Sequence, residues 1–150
     1  MKKISIWILF LSFFFIQTSI AEEEKFLSLK NNKVNVRYGP SFDFEIKYIY
    51  KKINLTLKQI DKKENWRRVI DLKNNSGWIH SSQLNEEANS IIILKDKILF
   101  QKPSNFSKPM ARLEEGRLLV IKNCKKEWCN VTTDNYTGWI KTTHVWGSTK

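Results

Sequence analysis

A chain of 150 residues in which 26 Lys and Arg face 15 Asp and Glu, for a formal net charge of +11, has room for one ordinary domain or two small ones. An excess of that size steers a protein towards anionic partners such as lipid headgroups, phosphorylated glycans or acidic proteins, although Lys, Asn and Ile are abundant throughout and A/T-rich codons would give the same bias. No His-Glu-x-x-His helix, glycine-rich phosphate loop or Gly-x-Ser-x-Gly turn is present, which sets aside the enzyme classes those motifs serve.

At the N-terminus Lys2 and Lys3 precede an apolar run from Ile4 to Ile16, and Gln17-Thr18-Ser19-Ile20-Ala21 ends with small residues at the positions a signal peptidase reads. Residues 1–21 therefore read as a signal peptide cleaved after Ala21. The alternative, an uncleaved anchor, is opposed by a run shorter than the ~20 residues a bilayer span needs and by the hydrophilic Glu22-Glu23-Glu24 that follows. No later segment is long and apolar enough to cross a membrane, and no cysteine stands at the expected cleavage point to carry a lipid. The expectation is an exported chain, periplasmic rather than secreted for want of a wall-sorting signal. Export disfavours nucleic acid as a partner.

Beyond the leader, short apolar runs are broken by Asn, Asp, Lys and Gly clusters, the pattern of an all-β protein. Strands are expected near Phe26 to Leu29, Lys33 to Arg37, Ile46 to Tyr50, Asn54 to Ile60, Trp66 to Ile70 and Gly77 to His80. In the fourth of these, Leu55 and Leu57 alternate with Asn54, Thr56 and Lys58, the period of a half-buried strand. Asp61 to Asn65 and Asp71 to Ser76 read as hairpin turns. Asn85 to Ser90 is polar and without periodicity, a junction too short to be a free linker, so the units on either side should touch. Strands then recur near Ile91 to Leu94, Ile98 to Phe100, Met110 to Leu113, Arg117 to Asn123, Trp128 to Val131 and Gly138 to Lys141.

The second set echoes the first roughly sixty residues later, which is the mark of a tandem module. Val34-Asn35-Val36-Arg37-Tyr38-Gly39-Pro40-Ser41, Trp66 with Val69, and Gly77-Trp78-Ile79 return as Ile98 to Ser104, Trp128 with Val131, and Gly138-Trp139-Ile140. The domains are thus read as residues 22–85 and 86–150. A unit of this size buries only about 60% of its unfolded surface, so mutual packing or covalent help is expected. Five or six short strands must also hide their edges, which favours a barrel.

These motifs resemble the bacterial SH3 domain family, and the resemblance covers residues 26 to 146 as two copies. It implies two tandem SH3-like β-barrels and a non-enzymatic binding or targeting module of the cell envelope. Its ligand would be peptidoglycan or its stem peptide; the alternative is a structural adaptor or regulator bound to another exported protein such as a wall hydrolase. Val36, Arg37, Gly39, Pro40, Gly77, Trp78, Gly138 and Trp139 carry the motif, and the second copy is degenerate, with Phe100 at the position of Arg37 and Lys102 at that of Gly39. Gly116 supplies a turn glycine where the first copy is read to have Ile53.

Gly39 suits a turn that a side chain would crowd, and Pro40 fixes its own φ. Trp78 and Trp139, followed by Ile79 and Ile140 on the alternate face, are assigned to packing, since a large ring is usually mostly buried. Trp66 and Trp128 open their strands and stay open between packing and an amphipathic contact surface. Tyr38, Phe42 and Phe44, on the loop after the first motif strand, complete the candidate ligand-binding set with Trp66 and Trp128. The same rings would also serve merely to cover the barrel end.

Cys124 and Cys129 flank a predicted hairpin loop, where opposed residues come within disulfide range. An exported chain with two cysteines is expected to pair them. A zinc site is the competing reading, but two cysteines fill half a tetrahedral shell, and His80 and His144 have no spacing that completes it. No catalytic residue, cofactor or metal is expected.

Overall fold

The computed structural model describes residues 23–149, so the expected signal peptide lies outside the described residues. The runs read as strands form strands: β1 (Phe26–Leu29), β2 (Val34–Arg37), β3 (Ile46–Tyr50), β4 (Thr56–Lys63), β5 (Trp66–Ile70) and β6 (Ser76–His80) in the first copy. A 3-10 turn at Ser81–Gln83 then leads into a two-residue strand, β7 (Leu84–Asn85). The second copy holds β8 (Ser90–Ile93), β9 (Lys97–Phe100), β10 (Pro109–Leu113), β11 (Leu118–Lys125), β12 (Trp128–Thr133), β13 (Tyr136–Lys141) and β14 (Val145–Trp146). Two antiparallel sheets of seven strands result, ordered β3-β2-β6-β5-β4-β1-β7 and β10-β9-β13-β12-β11-β8-β14. The second order is the first with every strand replaced by its counterpart, so the all-β tandem architecture holds.

Each sheet curls around its own core. Leu27, Leu29, Val34, Val36, Leu57, Val69, Ile79 and Leu84 fill the first, and Ile91, Ile93, Leu99, Leu113, Leu119, Cys129, Val131 and Ile140 the second. Three details differ from expectation. Asp61 to Lys63 belong to β4 rather than to a turn, because a two-residue hairpin suffices: Lys63 is opposite Trp66, and Glu64 takes a positive φ of 49°. The residue equivalent to Gly116 is Asn54 and not Ile53. Asn54 has φ 59° and donates its N–H to Leu29 O, while Gly116 has φ 82° and donates to Ile93 O, so each opens its central strand from the same left-handed turn. The third difference is Thr56, assigned by alternation to the polar face yet fully buried.

Thr56 is buried because the second barrel lies on it. The Ser90 hydroxyl donates to Asn54 O at 2.6 Å, which leaves the Thr56 hydroxyl as the donor in its 2.8 Å contact with Ser90 Oγ. Trp146 Nε1 donates to Thr56 O at 3.3 Å, and the Trp146 ring stands edge-on to Phe26 at 5.3 Å. Ser28 Oγ donates to Asn89 Oδ1 at 2.8 Å, so β1 is tied to the junction as well. The junction residue Glu86 joins Lys25 and Arg67, at 2.7 and 2.8 Å. Burial alone would raise the Glu86 carboxyl, yet hydrogen bonds from those two cations hold it below the usual carboxylate range. The units touch, as their short junction requires, through hydroxyls, an amide, one aromatic ring pair and the ion pairs at Glu86.

Cys124 and Cys129 are directly opposed on β11 and β12, with Cα atoms 4.0 Å apart, and form a disulfide across the hairpin. Both sulfurs are thereby removed from any metal site. Closing so short a loop in the unfolded chain is worth about 2 kcal/mol, so the Cys124→Ser/Cys129→Ser variant is expected to lose that much in urea unfolding followed by tryptophan fluorescence. An unchanged midpoint would show that the hairpin is held without the bond. Ser90→Ala strands the Thr56 hydroxyl and the Asn54 carbonyl together and should cost about 1–3 kcal/mol. Adding Thr56→Val should recover part of that loss, and additive losses would show that the two hydroxyls do not act as a pair.

Candidate ligand-binding face

The loop from β2 to β3 is organised by two contacts. A Cβ at position 39 would come within 2.6 Å of the Phe44 ring, so glycine there lets the ring fold back over the turn. Arg37 Nη1 donates to the carbonyls of Phe42 at 3.2 Å and Phe44 at 2.6 Å, which fixes the loop's far side to β2. Lys102, in place of Gly39, becomes possible in the second copy because Ser107 stands where Phe44 would, and its hydroxyl accepts from the Lys102 N–H at 2.9 Å.

Held in this way, the loop displays its rings. Tyr38, Phe42 and Phe44 are 62%, 66% and 47% exposed. Phe42 stands edge-on to Trp66 at 5.0 Å and tilted to His80 at 5.3 Å, with the Arg37 guanidinium 5.6 Å from its centroid. His80 faces Trp66 across β5 and β6, 5.2 Å from it. Tyr38 lies on the other side of the loop under Lys47 Nζ, 5.7 Å away. The sequence offered His80 only as an unfitting zinc ligand and Lys47 only as one of many scattered basic residues. Only the register of β6 on β5 and of β3 on β2 brings them in.

Of the four motif tryptophans, Trp66 and Trp128, which the sequence left open between packing and a contact surface, are the more buried pair. Trp66 and Trp128 are 7% exposed, each covered by a neighbouring ring, while Trp78 and Trp139 are half-buried. The cause is strand parity: Ile79 and Ile140 point fully into their cores, so the adjacent tryptophans must face outward. The second barrel rebuilds the tryptophan surroundings from other positions. Phe100 of β9 stands edge-on to Trp128 at 5.8 Å, and Lys141 of β13 brings its Nζ to 5.6 Å from the same ring. Aromatic cover and cation have exchanged places, Phe100 for Arg37 and Lys141 for His80. Tyr38, Phe42, Phe44 and Trp66 are thus one neighbourhood, and Trp128 belongs to a separate one on the other barrel.

Such a surface can stack on flat or apolar groups and hold an anionic one through Arg37 and Lys47. Among the described residues no group of three metal-ligating side chains converges.

A family model described as "Bacterial SH3 domain" matches residues 30–86 and again 96–147. No curated protein matches the chain. Two solved structures are similar to it, each at 12% identity and a TM-score of 0.39: NlpC2 from Trichomonas vaginalis, over 83% of this chain and 48% of that one, and NlpC1 from the same organism, over 87% and 48%. The chain thus spans about half the length of either.

Trp66→Ala is expected to destabilise the first barrel by about 3–5 kcal/mol, whereas Phe42→Ala on the exposed loop should stay within roughly 1 kcal/mol. Thermal unfolding of both variants checks the contrast. Equal losses would mean that Phe42 supports the fold rather than a surface.

Proposed function

We propose, because the chain belongs to the bacterial SH3 domain family, that it is an exported, non-catalytic binding protein of the cell envelope whose first barrel holds peptidoglycan or its stem peptide. The observation that carries this reading is the β2–β3 loop, three exposed rings fixed by one arginine and one glycine. Rings kept in water at the cost of ordering their loop favour a partner that covers them. Trp66 supports the platform from beneath, through its edge contact with Phe42, and Trp128 has the corresponding supporting place in the second barrel. Residues 1–21 supply the export step, and the periplasm is the proposed compartment. The paired cysteines fit an oxidising environment.

An exported protein partner is favoured at one position. Phe106, at the tip of the β9–β10 loop, is fully exposed, and Met110 and Ile98 on that side of the second barrel are also open to solvent. That side suits an adaptor contact while the first barrel holds the wall.

Sedimentation of the purified protein with cell-wall sacculi tests the main reading. Binding should persist at physiological salt and fall about tenfold or more in the Tyr38→Ala/Phe42→Ala variant, with circular dichroism unchanged. Binding that vanishes at physiological salt would mark it as non-specific charge attraction. Undiminished binding by the double variant would move the site elsewhere.

A further inference from the structure

We propose that the outer face of the first sheet is a receptor for a small oxyanion, carboxylate or phosphate, built by Arg37, Lys47 and Arg68 around Trp78. The register places these groups together from separate strands. Trp78 on β6 is opposite Arg37 on β2 and, across its other edge, opposite Arg68 on β5. Lys47 reaches over from β3, donating to Ser76 O at 2.8 Å and passing beside Gly77, which also lines the space. A cleft of about 260 Å³ lies among them, with Tyr38 at its rim and no carboxylate in its wall. That space suits one small charged group rather than a length of polymer.

None of these cations takes part in an ion pair among the described residues. Asp61 of β4 is the cross-strand neighbour of Arg68 but neither pairs with it nor lines the cleft. Like charges grouped there are unfavourable unless an anion joins them, and an indole wall that displaces water strengthens the attraction. Arginine presents a planar fork that matches a carboxylate or phosphate in two-point contact.

The second barrel is an internal control. Its equivalent face keeps Gly138 and Trp139, yet Phe100, Met110 and Asn130 stand where the first has Arg37, Lys47 and Arg68. All three cations are missing together while the strands, glycine and tryptophan remain. Neither the fold nor the chain's general basicity therefore explains them. The proposal holds whatever polymer or protein carries the anion.

NMR titration of the purified protein at constant ionic strength, followed at the Gly77 amide and the Trp78 indole N–H, tests it. The probes are N-acetyl-alanyl-alanine, its C-terminal amide and inorganic phosphate. Saturable shifts with the free acid or with phosphate, and none with the amide, are expected. Tighter binding of the acid assigns the receptor to a peptide carboxylate, and tighter binding of phosphate assigns it to a phosphorylated ligand. Lys47→Met/Arg68→Asn imports residues that the second barrel holds at the same places without losing its fold, and should weaken binding roughly tenfold or more. Absent or non-saturating shifts, an equal response to the amide, or undiminished affinity in the folded double variant would overturn the proposal.

Discussion

How closely β2 approaches β6 governs the rest of the first barrel. A Cβ at position 77 would sit 2.4 Å from Val36 Cγ1 and 3.1 Å from Arg37 O, so the two strands meet only because that residue is glycine. The same approach is made at Gly138, where a Cβ would lie 2.7 Å from Phe100 O. In each copy the contact registers at one residue pair, Arg37 with Trp78 and Phe100 with Trp139. It lets β2 deliver Val34 and Val36 to the core that β4, β5 and β6 already line. The outer face follows from the same step. Once Val36 points inward, Arg37 must point outward beside Trp78, and β3 is carried close enough for Lys47 to reach the start of β6. Core and candidate binding face are opposite sides of one backbone contact.

Much of this architecture was legible because it rests on local patterns. The tandem repeat and alternation located twelve of the strands, and the cysteine spacing located the disulfide. What escaped had no local signal. The strands β7 and β14 are two residues each and exist only because β1 and β8 offer them an edge. Thr56 sits on the polar face of its strand by period, and its burial depends on a barrel that begins 34 residues later at Ser90. The tryptophans are more instructive. Parity with Ile79 puts Trp78 on the outer face of its strand, and the ring is still half-buried there. Trp66 is buried by Phe42 and His80, contacts that depend on loop geometry and register.

The loop residues Tyr38, Phe42 and Phe44 were legible as a group because they follow the motif strand directly, and the structure leaves all three in solvent. Their cationic neighbours were visible only as scattered basic residues. Strand order converts that scatter into an arrangement, because β3, β2, β6 and β5 are adjacent in space although β4 and long loops separate them in sequence. The copies then differ in kind. The first surrounds its outward tryptophan with charge, whereas the second surrounds its own with Phe100, Met110 and Asn130 and keeps its cation, Lys141, over the buried Trp128. Duplication supplied one scaffold and substitution made two surfaces.

The net charge of +11 can then be divided by what each cation meets. Lysine accounts for most of the 26 cations and is spread over loops and strands, as codon bias alone would leave it. Arginine behaves differently. Arg67, Arg112 and Arg117 are joined to Glu86, Asp96 and Asp134, so their charge is answered within the fold. The remaining pair, Arg37 and Arg68, flank Trp78 outside any ion pair, although Asp61 of β4 is the cross-strand neighbour of Arg68. Exposed ion pairs are worth only up to about 1 kcal/mol each, so stability gave little reason to supply these two arginines with partners or to withhold them. Their common feature is position, one on each side of the same outward indole. A bias acting on composition has no means of choosing that position, and it would have acted on the second barrel as well. The charge around Trp78 is therefore a property of this surface and not of the chain as a whole.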